Sequence, residues 1–271
     1  MDELNTNKDL RENIDEEEIS VTDKMIGVLS EPTNLFQKLS IQKPKITDWI
    51  IPILLLVVVA SLSRFIMMNN PEIKADAMEK QMEVIEKSLQ DAVDKGNMTQ
   101  DQADEQIEKI RERMEEGGSG QLVMTVVGIL IFAFITFFII AGIFYLLAKI
   151  TLGGEGNFST SMVAYGLPHY IIVIQILVTI ILAMTMNKMF IDTSVGSFLD
   201  LKNDTLIGLL AHKLDVFSIW FYAVISIAYA KMFKSENVGK YFIAIFGLWV
   251  GFSVLMFFLG KAVPFLKMFG M

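Results

Sequence analysis

The sequence predicts an all-α integral membrane protein with five transmembrane helices and a soluble antiparallel helical hairpin inserted between the first and second. Three observations carry that prediction. Of the 271 residues, 53% are hydrophobic, and mean hydropathy is +0.48, too apolar for an ordinary soluble domain. The apolar residues gather into five runs, roughly 49–68, 122–148, 162–186, 215–233 and 241–260. Each is near or above the ~20 residues that a helix needs to cross the hydrocarbon. The runs are also continuously apolar, whereas membrane strands would alternate.

The elements follow in chain order. Residues 1–25 are acidic and almost free of aromatics, and they read as a disordered tail. They lack the basic and apolar regions of a cleaved secretory signal. Residues 26–48 form an amphipathic approach segment, with Ile26, Val28, Leu29, Leu35, Phe36 and Leu39 suited to a short helix on the membrane surface, punctuated by Pro32 and Pro44. In 71–116, Met78, Met82, Ile85 and Leu89 recur at helical spacing, and Ala103, Ile107, Ile110 and Met114 repeat the rhythm. Gly96 suits a helix stop, and Thr99 with Gln102 suits a capping box. These signals predict the hairpin, a solvated insertion with a coiled-coil-like seam. Asn157 to Ser161 reads as a turn that caps the third span, and 204–214 as a helical turn or two at the interface. Residues 49–260 form the membrane domain and 261–271 a short interfacial tail.

Charge narrows the function. Net charge is −8, and 23 of the 31 acids fall in 1–25 and 72–116. No basic face suggests nucleic acid. With no Cys, thiol chemistry and Cys-bearing metal sites are out. No acid lies within 122–148, 162–186, 216–233 or 241–260, so a charge-relay carrier has little to work with. No catalytic, cofactor or metal constellation is visible. His169, after Pro168 and between Tyr165 and Tyr170, reads as an interfacial His. Gln175 reads as an interhelical hydrogen-bond donor. Asp215 reads as an anchor at the positive end of the fourth span, with Lys213 snorkelling to headgroups. A second reading is a small permease or channel for a neutral or apolar solute, with polar contacts from Tyr165, His169 and Gln175.

Lysines set the orientation. Lys38, Lys43 and Lys45 precede the first span, and Lys231, Lys234 and Lys240 crowd the loop before the fifth. Both clusters fall on one side of a five-span chain, which predicts a cytoplasmic N-terminus.

Four stretches resemble the Yip membrane family, the Ypt/Rab-interacting proteins and their bacterial relatives. "LDVFSIWFYAVISIAYAKMF" is similar to the family's fourth span through Asp215, Phe217 and Trp220. "SEPTNLFQKL" resembles its opening motif, with Pro32 and Phe36. "GGEGNFSTSMVAYGLPHYI" resembles its Gly-rich turn and following span, with Pro168. "YFIAIFGLWVGFSVLMFFLG" resembles its last span. The hairpin is a departure, since members usually have a shorter first loop. The resemblance implies a non-enzymatic, multi-pass membrane-organising or scaffold factor. Here it takes the form of a bacterial member in the cytoplasmic membrane. Expected partners are membrane lipids, a cytoplasmic protein meeting 1–48, and a second copy through the hairpin. The resemblance gives the motif residues no chemical role.

Overall fold

The computed structural model describes residues 19–116 and 119–262, and these residues form helices joined by turns, with no strand among them. The tail expected over 1–18 and the tail beyond 262 lie outside the described residues. Order begins earlier than the sequence suggests. Helix α1 (Val21–Ser30) starts inside the segment expected to be a disordered tail, because Ser20 caps it by accepting from the Asp23 N–H at 3.1 Å. Helix α2 (Pro32–Leu39) follows after one residue, with Pro32 at its first position, where a missing N–H costs nothing.

The amphipathic character of 26–48 is real, but its apolar face does not lie on the membrane surface. Val28, Leu35, Phe36 and Leu39 are buried in the main core. Gly27 lets the two helices close, since a Cβ there would come within 3.2 Å of Leu35. α2 packs against the later helix at Val216–Met232 and α1 against the one at His169–Met186.

Helix α3 (Thr47–Met68) is the first long apolar helix. Asn70 then caps α4 (Pro71–Asp94) by accepting from the N–H groups of Glu72 and Ile73. α5 (Gln100–Glu116) follows a five-residue turn. The predicted capping box at Thr99 and Gln102 is present in both directions, at 3.0 and 3.3 Å. Gly96 adopts a φ of 71°, the left-handed conformation that ends a helix. α4 and α5 pack on each other, and Arg111 reaches Glu86 across them at 3.4 Å.

α4 also docks elsewhere, which the periodicity did not reveal. Ile73 is fully buried in a small core with Met67, Ala183 and Phe190. Along the next turns Asp76 accepts from the Met189 N–H at 2.7 Å, Lys202 pairs with Glu83, and Lys87 reaches Asp204 at 3.3 Å.

Helix α6 (Ser119–Leu146) continues through a π turn, Leu147–Thr151. α7 (Phe158–Gly166) begins with a capping box between Asn157 and Thr160. The cap is Asn157, inside the turn expected to cap this span, with Thr160 as its reciprocal partner. α8 (His169–Met186) continues the same span after a break at Pro168. The 187–205 segment carries a short α9 (Val195–Phe198). α10 (Leu206–Lys213) meets α11 (Val216–Met232) at a 66° bend, and α12 (Val238–Ala262) closes the chain. Among the described residues, four stretches, Thr47–Met68, Val126–Thr151, Phe158–Met186 and Val238–Lys261, are long and apolar enough to cross a membrane. The bent pair α10–α11 brings the number to five if it crosses as one.

The α7–α8 pair, α3 and α11 form the centre, with α6 against α3 and α7, and α12 against α11. Small residues set the closest approaches. A Cβ on Gly166 would come within 2.4 Å of Trp49, so α3 and α7 meet nearly backbone to backbone. At one end of the bundle the two short loops are tied together. Glu155 donates its N–H to the Phe233 carbonyl at 2.9 Å, and Lys240 reaches the Leu152 carbonyl at 2.8 Å. The 19–46 segment, the 152–157 turn and the 233–237 turn therefore share one end. α4, α5, α9 and α10 belong to the other.

Candidate functional site

Two polar clusters are buried in the protein, one toward each end of the bundle, beside the apolar stretches 49–68 and 216–233, which themselves hold no acid. The first joins α1 to α3. Lys24 Nζ lies 2.7 Å from Asp48 Oδ1, and both side chains are buried. Asp48 Oδ2 also accepts the Lys45 N–H at 3.3 Å. Lys24 lies four residues before Val28, on the face that α1 turns to the bundle, so its charge is carried inward with that face. Sequence reasoning missed both residues. The one signal was that shared face with Val28.

The second cluster centres on Asp215. It caps α11, as a carboxylate at a helix N-terminus should, but it is no anchor at the lipid boundary, being 2% exposed. Its carboxylate accepts from Gln175 Nε2 at 2.8 Å, Thr193 Oγ1 at 2.5 Å, and the Ser218 hydroxyl and N–H at 2.6 and 3.0 Å. All four are donors from neutral groups, and the two carboxylate oxygens have acceptor sites for each of them. Gln175 thus makes the interhelical hydrogen bond expected of it, and the bond joins α8 to α11. Phe217 and Trp220 sit one turn along, their ring centroids 6.4 Å apart and both partly exposed.

A second acid, Asp192, stands next to Thr193 in the chain. Asp192 accepts from Ser194 through its N–H at 3.0 Å and hydroxyl at 2.6 Å, and from the Ser197 hydroxyl. Partial burial pushes its carboxyl upward, and the bonds from Ser194 and Ser197, with the His212 ring nearby, outweigh that and hold it below the usual range. His212 lies 3.0 Å from Ser194 Oγ through Nδ1 and 2.8 Å from the Leu201 carbonyl through Nε2. A carbonyl only accepts, so Nε2 carries a hydrogen. Serine, histidine and aspartate are together here, but Ser194 is fully buried and its oxygen also caps Ser197. The group locks α9 against α10. It has no path for a substrate to a nucleophile.

Pro168 and His169 work as a pair. Pro168 offers no N–H, and the helix restarts through short bonds, Tyr170 N–H to Leu167 at 3.2 Å and Ile171 N–H to Pro168 at 2.9 Å. His169 Nδ1 lies 2.9 Å from the Tyr165 carbonyl and 3.2 Å from that of Gly166. Its hydrogen must therefore be on Nδ1. His169 is not interfacial, as the sequence suggested. It is buried in an aromatic box of Phe137, Tyr165 and Phe221, with ring centroids 4.8–6.0 Å away. The box continues through Trp49, stacked on Phe137 at 5.2 Å, and through Phe144 to Tyr229. Tyr229 Oη lies 2.6 Å from Ser161 Oγ, and Ser161 Oγ lies 2.7 Å from the Ala141 carbonyl, to which it donates, joining α11, α7 and α6.

The candidate residues are thus dispersed. Phe36 is in the main core and Pro32 at the start of α2, at the Lys24–Asp48 end. Tyr165, Pro168 and His169 stand in the middle. Gln175 and Asp215 are joined at the far end. Three surface clefts of about 270 to 430 Å³ occur on α5, beside Asn70, and between 39–44 and 155–160. None is lined by Tyr165, His169 or Gln175.

Neither a curated protein nor a solved structure gives a match to this chain. The model of one family, the Yip1 domain, matches residues 26–260, from the middle of α1 almost to the end of α12, so it takes in Asp48, the Asp215 cluster and the whole aromatic box, and begins two residues after Lys24. A multi-pass helical bundle matched over nearly all its length in this way belongs to the Yip1 domain family.

Proposed function

We propose that this protein is a non-enzymatic scaffold of the membrane that presents its N-terminal helix pair, on the cytoplasmic side, to a protein partner. The observation that supports this reading most is the inward docking of α1 and α2. Lys24, Val28, Leu35, Phe36 and Leu39 are buried, and the Lys24–Asp48 pair fastens α1 to the first long helix. The outward residues Asp23, Asn34, Gln37 and Lys38 are then held as a fixed polar surface. A surface ordered beforehand binds at a lower entropic cost than a flexible tail. Within the bundle, Asp215, Gln175, Ser161 and His169 spend their hydrogen bonds on other parts of the chain, as suits a platform.

The orientation rests on lysine. Lys38, Lys43, Lys45, Lys231, Lys234 and Lys240 belong to the end that carries α1 and α2, and short basic loops stay in the cytoplasm. Five crossings put α4 and α5 outside the bilayer on the opposite face.

The test is co-purification from membranes with three forms of the chain. Removing 1–18 leaves α1 intact and retains the partner. Reversing the outward surface with Asn34→Arg and Lys38→Glu loses it while the protein still inserts. Unchanged co-purification by the reversed form refutes the assignment.

A further inference from the structure

We infer that the α9–α10 segment is a lipid-binding plate that lies in one leaflet, with its bulky side chains among the acyl chains. Three independent observations converge on it. The first is the sorting of its side chains. Ile191, Leu199, Ile207, Leu210, Leu214 and Val216 are all exposed, Ile191 at 86% and Ile207 at 77%. Where its own parts pack on each other the segment instead uses its small residues. Gly196 and Gly208 are buried, and a Cβ on them would come within 2.4 Å of the His212 ring and 1.9 Å of the Lys202 carbonyl oxygen. A surface segment of a soluble region would do the opposite, burying leucine and exposing small or polar groups.

The second observation is where the charges go. Lys188, Asp200, Lys202 and Asp204 meet α4, pairing with Lys80, Glu83 and Lys87 or with each other. α4 is strongly charged and belongs in water. The polar edge of the plate is therefore covered by an aqueous partner, and its apolar edge is left for a different environment.

The third is depth. The ends of α7 and α11 are tied by Glu155 and Phe233, so the helices can be measured from one boundary. α11 has 17 residues, a rise of about 25 Å, against about 30 Å of hydrocarbon. The α7–α8 span, Phe158–Met186, has 29 residues, a rise of about 43 Å. α11 therefore begins short of the far boundary. The 66° bend turns α10 from it toward the membrane plane at that depth. Asp215 holds the corner there through Gln175 and Thr193. Lys213 lies over the Trp249 ring of α12, 5.5 Å from its centre, and α10 packs on α12, so the plate adjoins that helix. The occupant that fits is acyl chain, present in one leaflet only, since the helix pair α1–α2 at the opposite end turns its apolar face inward.

The inference does not depend on a protein partner and is tested without one. The chain has no Cys, so a single introduced cysteine carries an environment-sensitive fluorophore to one place. Ile207→Cys is labelled in the full chain, reconstituted in vesicles of phosphatidylcholine and phosphatidylglycerol. Val84→Cys, exposed on α4 at 69%, is the aqueous reference. Quenching at 207 by acyl-chain nitroxide, with iodide quenching at least fivefold weaker than at 84, is expected. Iodide quenching at 207 equal to that at 84 overturns the inference, because the face is then in water. Protection from both agents also overturns it, because protein then covers the face. Leu210→Cys serves if Ile207→Cys does not fold.

Discussion

Lys24 and Asp48 close a buried ion pair of 2.7 Å between the first helix of the chain and the start of its first long apolar helix. Each charge is tolerable only because the other is present. Removing one partner of such a pair costs about 3–5 kcal/mol, whereas replacing both with apolar groups is often neutral. Lys24→Ala or Asp48→Ala should therefore lower the detergent melting midpoint strongly and free α1 to proteolysis. Lys24→Met with Asp48→Leu should recover most of the loss. Equal damage from the single and double replacements would mean the pair is not what fastens α1.

The Asp215 carboxylate should be irreplaceable by its own amide. Asp215→Asn keeps the shape but turns one acceptor into an NH₂ facing donors from Gln175, Thr193 and Ser218. Leaving buried donors unmatched costs about 1–3 kcal/mol. Gln175→Ala removes one donor and should cost less, and its coupling to Asp215 in a double-mutant cycle should be about 1–2 kcal/mol. A coupling near zero would show that the two side chains do not share a bond in the membrane.

What was legible in the sequence and what was not divides along sequence separation. The apolar runs, the Thr99–Gln102 box and the left-handed Gly96 are local, and each states its own physical requirement within a few residues. Gln175 announced itself as a lone amide in an apolar helix, though its partner, 40 residues on, did not. Lys24, counted within an acidic tail, gave no sign of Asp48, 24 residues later. His169 looked interfacial because it follows Pro168 near the start of a run. Only the fold shows that the same proline frees carbonyls that the ring then bonds. Asp192 and His212 become neighbours only once α9 folds against α10.

The contact between α4 and the 188–204 segment should respond to salt and pH. The Lys80, Lys87, Asp204, Lys202 and Glu83 side chains are largely exposed, so their pairs are screened at high ionic strength. The hydrogen bond from Lys202 holds the Glu83 carboxyl below its usual range, and Glu83 raises Lys202 in return. A depressed carboxylate stabilises the docked form above its unfolded value of 4.5, and this is lost as pH falls through the lowered folded value. A raised lysine stabilises it below its unfolded 10.5, and this is lost as pH rises beyond the folded value. Hydrogen exchange of α4 should be slowest between those limits. Ile73, buried in its own small core, should keep the base of α4 protected throughout. Glu83→Lys should speed exchange, and Lys202→Glu added to it should restore protection. Failure of the reversed pair to do so would show that the ion pair does not hold α4.

The Gly-rich turn should prove selective among its glycines, because they are required for different reasons. Gly153 has a φ of 66° and open space around it, so Gly153→Ala meets only the backbone penalty, about 1–2 kcal/mol. At Gly154 a Cβ would come within 2.7 Å of the Tyr241 hydroxyl and 2.8 Å of the Phe233 Cβ. At Gly156 it would come within 2.8 Å of the Phe233 ring. Phe233 is almost fully buried and stacks on Tyr229 at 5.5 Å, so neither ring can move without disturbing the aromatic box. Overpacking of this kind typically costs about 1–3 kcal/mol. The two clashes differ in remedy. Phe233→Leu removes the ring and should rescue Gly156→Ala, bringing the melting midpoint back above that of the single Gly156→Ala variant. It keeps the Cβ and the Tyr241 hydroxyl, so it should do little for Gly154→Ala. Equal rescue of both would mean the turn flexes as a unit and that the ring is not what its glycines are fitted to.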